Sequence, residues 1–370
     1  LNRRYVGGDE DMRAYAVDNQ LQAEFATADI DHTVLGGFDY QHRRVENAWQ
    51  FPSASSINAF NPVYGNTGVT IGAPTNSKVQ TLEQAGLYLE DQLEYEKWRF
   101  SLGLRQDWVE TTKHDRLTQK NTGEDRQKLT KRAGVLYLFD NGVAPYVSYS
   151  ESFNPSLYSD VAGNPIEPSE GTQYEAGVKY QPENGNLLLS AAAFYLEQDN
   201  VAIYDSSTYA YDPVGKIVSQ GLELEARANL NENLSVMASY TYTDAAYDAP
   251  GDTKDGKQPM QVPEHMASLW GNYSFYSGAL NGLSIGAGAR FVGEMAANET
   301  NTITVPDYTI FDLSLNYDMA NVGLENTDLR VNVNNLLDEE YVASCLITSS
   351  SDNCYYGEER SILATVRYRF

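Results

Sequence analysis

The stretch Ser361-Ile362-Leu363-Ala364-Thr365-Val366-Arg367-Tyr368-Arg369-Phe370 decides how the rest of the chain is read. Successive side chains of a strand point to opposite faces. Ile362, Ala364, Val366, Tyr368 and Phe370 therefore share one apolar face, and Ser361, Thr365, Arg367 and Arg369 share a wet, cationic one. Upstream, Leu329, Val331 and Val333 alternate with Arg330, Asn332 and Asn334 in the same way. A soluble sandwich would bury the apolar face against a second sheet. Here an aromatic residue closes the strand, which suits the water–lipid boundary of a transmembrane barrel.

The same pattern fills the chain. Fifteen alternating segments recur roughly every 25 residues: 14–26, 33–43, 85–93, 98–108, 133–139, 145–153, 174–180, 187–195, 221–229, 234–243, 266–275, 283–292, 308–317, 329–336 and the terminal strand. Leu222, Leu224, Ala226 and Ala228 oppose Glu223, Glu225 and Arg227; Phe311, Leu313, Leu315 and Tyr317 oppose Asp312, Ser314 and Asn316. Charges repeated on an inner face are intolerable in a dry core, where an unpaired ion is very costly. They are natural in a wide, water-filled lumen. Glu223, Glu225, Arg227, Arg367 and Arg369 are expected to pair with one another or with whatever fills that lumen.

Composition agrees. No apolar run approaches the ~18 residues of a membrane helix, and mean hydropathy is negative, as it is for strands apolar at every second position. Tyr is abundant, 27 of 370 residues, and its ring with a polar tip collects at membrane interfaces. A net charge of −25 argues against nucleic acid, which needs a basic stripe. Cys345 and Cys354 are too sparse for a zinc site, and an oxidising compartment would join them as a loop staple.

Turns of two lengths give direction. Short turns follow segments three, five, seven, nine, eleven and thirteen, and long loops, among them 44–79 and 112–128, separate most others. Outer-membrane barrels put short turns in the periplasm and long loops outside, so the final strand runs inward and the C-terminus is periplasmic. Residues 1–11 then read as the tail of an outer loop. Closed bacterial barrels have even strand counts, so fifteen implies strands upstream of this chain.

Several stretches resemble signatures of TonB-dependent outer-membrane receptors: Pro145-Tyr146-Val147-Ser148-Tyr149-Ser150-Glu151-Ser152-Phe153, Gln173-Tyr174-Glu175-Ala176-Gly177-Val178-Lys179-Tyr180, Gly221-Leu222-Glu223-Leu224-Glu225, and Val331-Asn332-Val333-Asn334-Asn335-Leu336-Leu337-Asp338 with Tyr341. Tyr341-Val342-Ala343-Ser344-Cys345 with Cys354-Tyr355-Tyr356-Gly357-Glu358-Glu359-Arg360 is similar to the ferrichrome-type receptors for hydroxamate siderophores. The resemblance implies a 22-stranded barrel around an N-terminal plug. Residues 1–370 would be its last fifteen strands with no second domain, the plug and TonB box lying outside this sequence. It further implies active transport of a ferric siderophore across the outer membrane of a Gram-negative bacterium. The TonB–ExbB–ExbD complex would drive it, and the protein would be a monomer set in lipid and lipopolysaccharide. A catecholate siderophore, haem, cobalamin or a saccharide is the alternative cargo, and a passive porin the alternative class.

A chelate carried whole needs a shaped pocket of aromatic faces and hydrogen-bond donors, with no metal ligand or cofactor from the protein. By resemblance, Tyr355 and Tyr356 beside the Cys345–Cys354 disulfide contact the ligand. Trp49, Phe51, Phe60 and Tyr64 lie in a long polar loop, where they either anchor it to the wall or line the mouth. His32, His42, His114 and His265 are dispersed, residues 248–257 lack calcium spacing, and no Gly-x-Ser-x-Gly elbow occurs; no enzyme is expected.

Overall fold

The computed structural model describes residues 3–65, 68–205, 210–348 and 351–370. Fifteen strands form one antiparallel sheet, each hydrogen-bonded to its neighbours in chain order. They are β1 (Gly7–Thr27), β2 (Ile30–Gln50), β3 (Asn76–Tyr95), β4 (Trp98–Asp115), β5 (Lys120–Tyr137), β6 (Val143–Asn154), β7 (Ser169–Tyr180) and β8 (Leu187–Asp205). Then come β9 (Ala210–Asn229), β10 (Leu234–Asp248), β11 (His265–Ser274), β12 (Leu283–Val292), β13 (Tyr308–Asp318), β14 (Thr327–Asn334) and β15 (Ser361–Tyr368). All fifteen expected segments are present. β1 and β15 are the edges of the sheet.

Register turns the alternation into two continuous surfaces. Leu93, Phe100, Val135, Val147, Ala176, Ala193, Leu222 and Tyr242 are successive partners from β3 to β10, a single apolar row. One residue over, Gln92, Ser101, Gly134, Ser148, Glu175, Phe194 and Gly221 form the row on the opposite face. That face is polar with a few apolar members, Phe194, Trp270 and Leu363 among them.

None of the described residues covers the apolar face. Leu222 is 49% and Val366 65% exposed, and Leu89, Leu102, Leu224 and Leu269 are likewise open. The buried hydrophobic cluster is small, comprising Met295, Ala297, Val305 and Cys345, and it lies at one end of the sheet. A soluble protein does not leave an apolar surface of this extent uncovered. Lipid is the solvent that matches it. At the short-turn end aromatic pairs line the rim: Trp98 with Tyr137, Tyr137 with Phe139, Tyr273 with Phe275 and Tyr368 with Phe370. This is the girdle such a wall places at the interface.

The polar face is laced across glycines. Arg105 of β4 donates to both carboxylate oxygens of Asp39 on β2, at 2.5 and 3.0 Å, passing over Gly86 of β3. Arg132 of β5 reaches Glu90 of β3 over Gly103, and the Tyr88 hydroxyl of β3 reaches Asp18 of β1 at 2.8 Å over Gly37. Next-but-one strands are ~10 Å apart, so these links need long side chains and an empty site between. A Cβ on Gly86 would stand 2.1 Å from an Arg105 nitrogen. Converging side chains mark this as the concave, lumenal face. The expected pairing among Glu223, Glu225, Arg227, Arg367 and Arg369 is corrected in part: Arg369 instead binds Asp328 at 2.7 Å.

Two boundaries are also corrected. Residues 112–128 are a continuous hairpin, β4 reaching Asp115 and β5 starting at Lys120, and residues 7–11 are already β1. A membrane crossing needs ~9–11 residues of strand, whereas β1 and β2 have 21 each. The surplus stands above the bilayer at the long-loop end, where both faces meet water and selection for alternation lapses.

Val147→Arg, on the apolar face near mid-strand, is expected to lower stability in phospholipid vesicles by about 2–4 kcal/mol. The adjacent Ser148→Arg, on the lumenal face, is expected to change it by less than ~1 kcal/mol. Urea titration of the refolded barrel reads the difference; equal costs would mean the faces are misassigned.

Candidate functional site

The long-loop end gathers every candidate residue. After β14 the chain turns at Asn335, whose φ of 52° is left-handed, a region that Asn tolerates. Its buried side-chain amide donates to the carbonyls of Glu339 and Glu358, and its side-chain oxygen accepts from the Glu339 N–H. Asp338 accepts from the Arg360 backbone and guanidinium, and the Tyr341 ring lies over Gly357. The Asn335-Leu336-Leu337-Asp338 motif is thus a knot that closes the base of the last loop.

That loop carries the hairpin Val342–Thr348 with Ser351–Tyr356, in which Cys345 and Cys354 are direct partners and form a disulfide. Cys345 is buried against Met295, Ala297 and Val305, and the Ile347 N–H donates to the Ala297 carbonyl at 3.0 Å. The hairpin is docked on its neighbour as well as stapled. Tyr355 and Tyr356 are exposed, at 57% and 83%. As consecutive strand residues they point to opposite sides, so one ligand position does not meet both rings face on.

Trp49 and Phe51 stack with centroids 6.5 Å apart. Trp49 belongs to the lumenal face of β2, packs over Gly8 and pairs in register with Asn76. Phe60 and Tyr64 project from the irregular 55–65 segment, fully and largely exposed. No ring contact among the described residues joins the Trp49 pair to Tyr355 or Tyr356.

Beside Trp49, on the same face, opens a cavity of about 540 Å³. Its floor is the extended hairpins. Lys78, Asp115 and Lys120 are partners in one row across β3, β4 and β5, and Gln80, Lys113 and Thr122 form the next. Its roof is the 155–168 loop. Lys113 Nζ donates to Ser159 Oγ at 2.7 Å, Gln80 Nε2 to the Leu157 carbonyl at 2.5 Å, and Tyr158 stacks on Tyr211 at 3.9 Å. Lys113 lies on the strand extension above the bilayer. Burial, then repulsion from Lys78, hold its ammonium below the usual lysine range. Burial disfavours the Asp160 carboxylate, but donors from Asn164, Ala162 and Gly163 outweigh it and hold its pKa down.

The family model described as TonB dependent receptor-like, beta-barrel, matches residues 2–336. The chain belongs to the TonB-dependent receptor β-barrel family. It is 42% identical over 370 residues to the ferrioxamine B receptor of Salmonella typhimurium, covering 100% of this chain and 52% of that one. It is 41% identical over 378 residues to the ferrichrome outer membrane transporter/phage receptor of Escherichia coli K12, covering 100% and 50%. Among solved structures, the siderophore receptor PiuA of Acinetobacter baumannii superposes with a TM-score of 0.78 at 24% identity, covering 97% of this chain and 56% of that one. This TonB-dependent receptor barrel therefore spans about half the length of the curated relatives it matches.

The lysine cavity was not found by sequence reasoning. Its lysines are 35 and 7 residues apart and meet only through strand register. The signal available was three lysines at the polar strand ends of an acidic chain. For the hairpin, Cys345→Ser with Cys354→Ser removes a ten-residue covalent loop worth up to about 3 kcal/mol of local stability. Hydrogen exchange of residues 342–356 is expected to quicken by up to about 100-fold with the unfolding midpoint of the barrel unchanged. A matching fall in that midpoint would place the disulfide in the barrel's own cooperative unit.

Proposed function

We propose that this barrel is part of a receptor that imports a ferric siderophore, of the hydroxamate class, across the outer membrane. The observation that carries the reading is whole-chain similarity to relatives named for ferrioxamine and ferrichrome, with the stapled, Tyr-bearing hairpin at the mouth. The cargo is a preformed chelate, so recognition requires contact area and donors and no bond from protein to iron. Aromatic rings supply area at low entropy cost, and Trp49, Phe51, Tyr355 and Tyr356 offer it on two sides of the long-loop end.

The open edges of the wall support the rest of this reading. β1 and β15 present unpaired edges, and hydrocarbon penalises each unpaired backbone group by several kcal/mol. Further strands therefore close the barrel, and a plug fills the lumen, as in barrels of about 22 strands. Long loops face outward and the C-terminus the periplasm. The machine binds and releases and catalyses no covalent step. TonB with ExbB and ExbD supplies the energy, and the receptor works as a monomer among lipid and lipopolysaccharide.

The test is uptake of radioactive iron, presented as a ferric trihydroxamate, by cells whose only siderophore receptor is this one. Uptake is expected to stop when a protonophore collapses the proton gradient. Trp49→Ala and Tyr355→Ala are each expected to weaken binding about tenfold, the scale of one buried aromatic anchor. Uptake indifferent to the protonophore would indicate a passive pore, and binding of ferric catecholates alone would remove the hydroxamate assignment.

A further inference from the structure

The cavity under the 155–168 loop has a chemistry that a neutral aromatic cradle does not need. Lys78, Lys113 and Lys120 converge there in a chain of net charge −25. None of the three has an ion pair within 4 Å among the described residues. The two carboxylates in the lining act on the lysines only through space, and their hydrogen bonds go to backbone and amide groups. Asp115 accepts the Leu117 and Thr118 N–H groups at 2.9 Å each, and Asp160 is closed on Asn164. Lys113 donates to the neutral Ser159 hydroxyl.

Three ammonium groups lining one cavity repel one another, and the roof replaces part of the solvent shell of Lys113. An oxyanion set among them would relieve the repulsion and accept charge-assisted hydrogen bonds. Gln80, Thr122 and Asn47 add neutral donors around the same space. The cavity is on the lumenal face, shielded from lipid, and borders Trp49 through Asn76.

We propose that this cavity is an anion subsite that takes a carboxylate arm of the incoming chelate, so that the receptor favours ferric hydroxamates bearing a free carboxylate. The inference rests on the cargo class given above, and it adds the sign of the charge that the mouth selects. The ring contacts hold the apolar body of the chelate, and the lysines read its free acid.

Two measurements on receptor-bearing outer membranes test it. In the first, lysines are acetylated with and without citrate or inorganic phosphate and quantified by mass spectrometry. At ten times the dissociation constant of the anion, Lys113 and Lys120 are expected to be protected about tenfold, and Lys257 on another loop at the same end not at all. In the second, affinity is compared for a linear ferric trihydroxamate with a terminal carboxylate and for its methyl ester. The acid is expected to bind about tenfold more tightly, and the ratio to fall to about one in the Lys113→Gln, Lys120→Gln double variant. Equal affinity for acid and ester, or a ratio that survives in the variant, overturns the subsite. If neither chelate binds while citrate still protects Lys113, the cargo class falls and the anion site stands.

Discussion

The constraint that shapes this molecule is the cost of a bare peptide group in hydrocarbon. Each unpaired N–H or C=O is penalised by several kcal/mol where no water can reach it, so a strand crosses lipid only between two others. The structure obeys this from β2 to β14 without interruption. Pairing that is obligatory everywhere fixes register everywhere, and register fixes which side chains share a face. One consequence is the unbroken apolar row from Leu93 to Tyr242. Another is the meeting of Lys78 with Lys120 across Asp115, residues that local sequence would never associate.

The lumenal face solves a different problem. Charges there are hydrated, so each ion pair contributes little by itself. What the Arg105–Asp39 and Arg132–Glu90 links do is tie strands that share no backbone bond, with Gly86 and Gly103 leaving the space. The glycines on this face thus carry information that a hydrophobicity profile discards. Their partners are the long polar residues two strands away.

The fold was legible because alternation is a local signal. Fifteen segments could be counted, and the main sheet has fifteen strands among the described residues, since lipid on one side and water on the other impose period two on every crossing. Legibility failed where that asymmetry ends. Residues 112–128 read as loop because Thr112, Lys113 and His114 are polar on both faces of the strand, although their backbone remains paired on both sides. The candidate site was half legible. Cys345 and Cys354 announced a stapled hairpin by being the only cysteines, and the structure pairs them. Asn335 gave no hint from composition that its amide would knot the loop base, and the lysine cavity required distances that only register supplies.

Charge then explains why a local site is needed at all. With −25 spread over the chain, the average field at the mouth repels an anion and draws in a cation. That field is screened beyond about 10 Å in ordinary salt, so it sets encounter more than affinity. Inside the cavity Lys113 is half-buried under the 155–168 loop with Lys78 and Lys120 beside it, and the lysines govern. A neutral chelate would feel neither. On the proposed reading an anionic one would cross a weak barrier to reach its site, and its binding would be more sensitive to salt at the approach than at the contact. Selectivity of this kind resides in the few side chains that register brings together, while the bulk composition of the barrel points the opposite way.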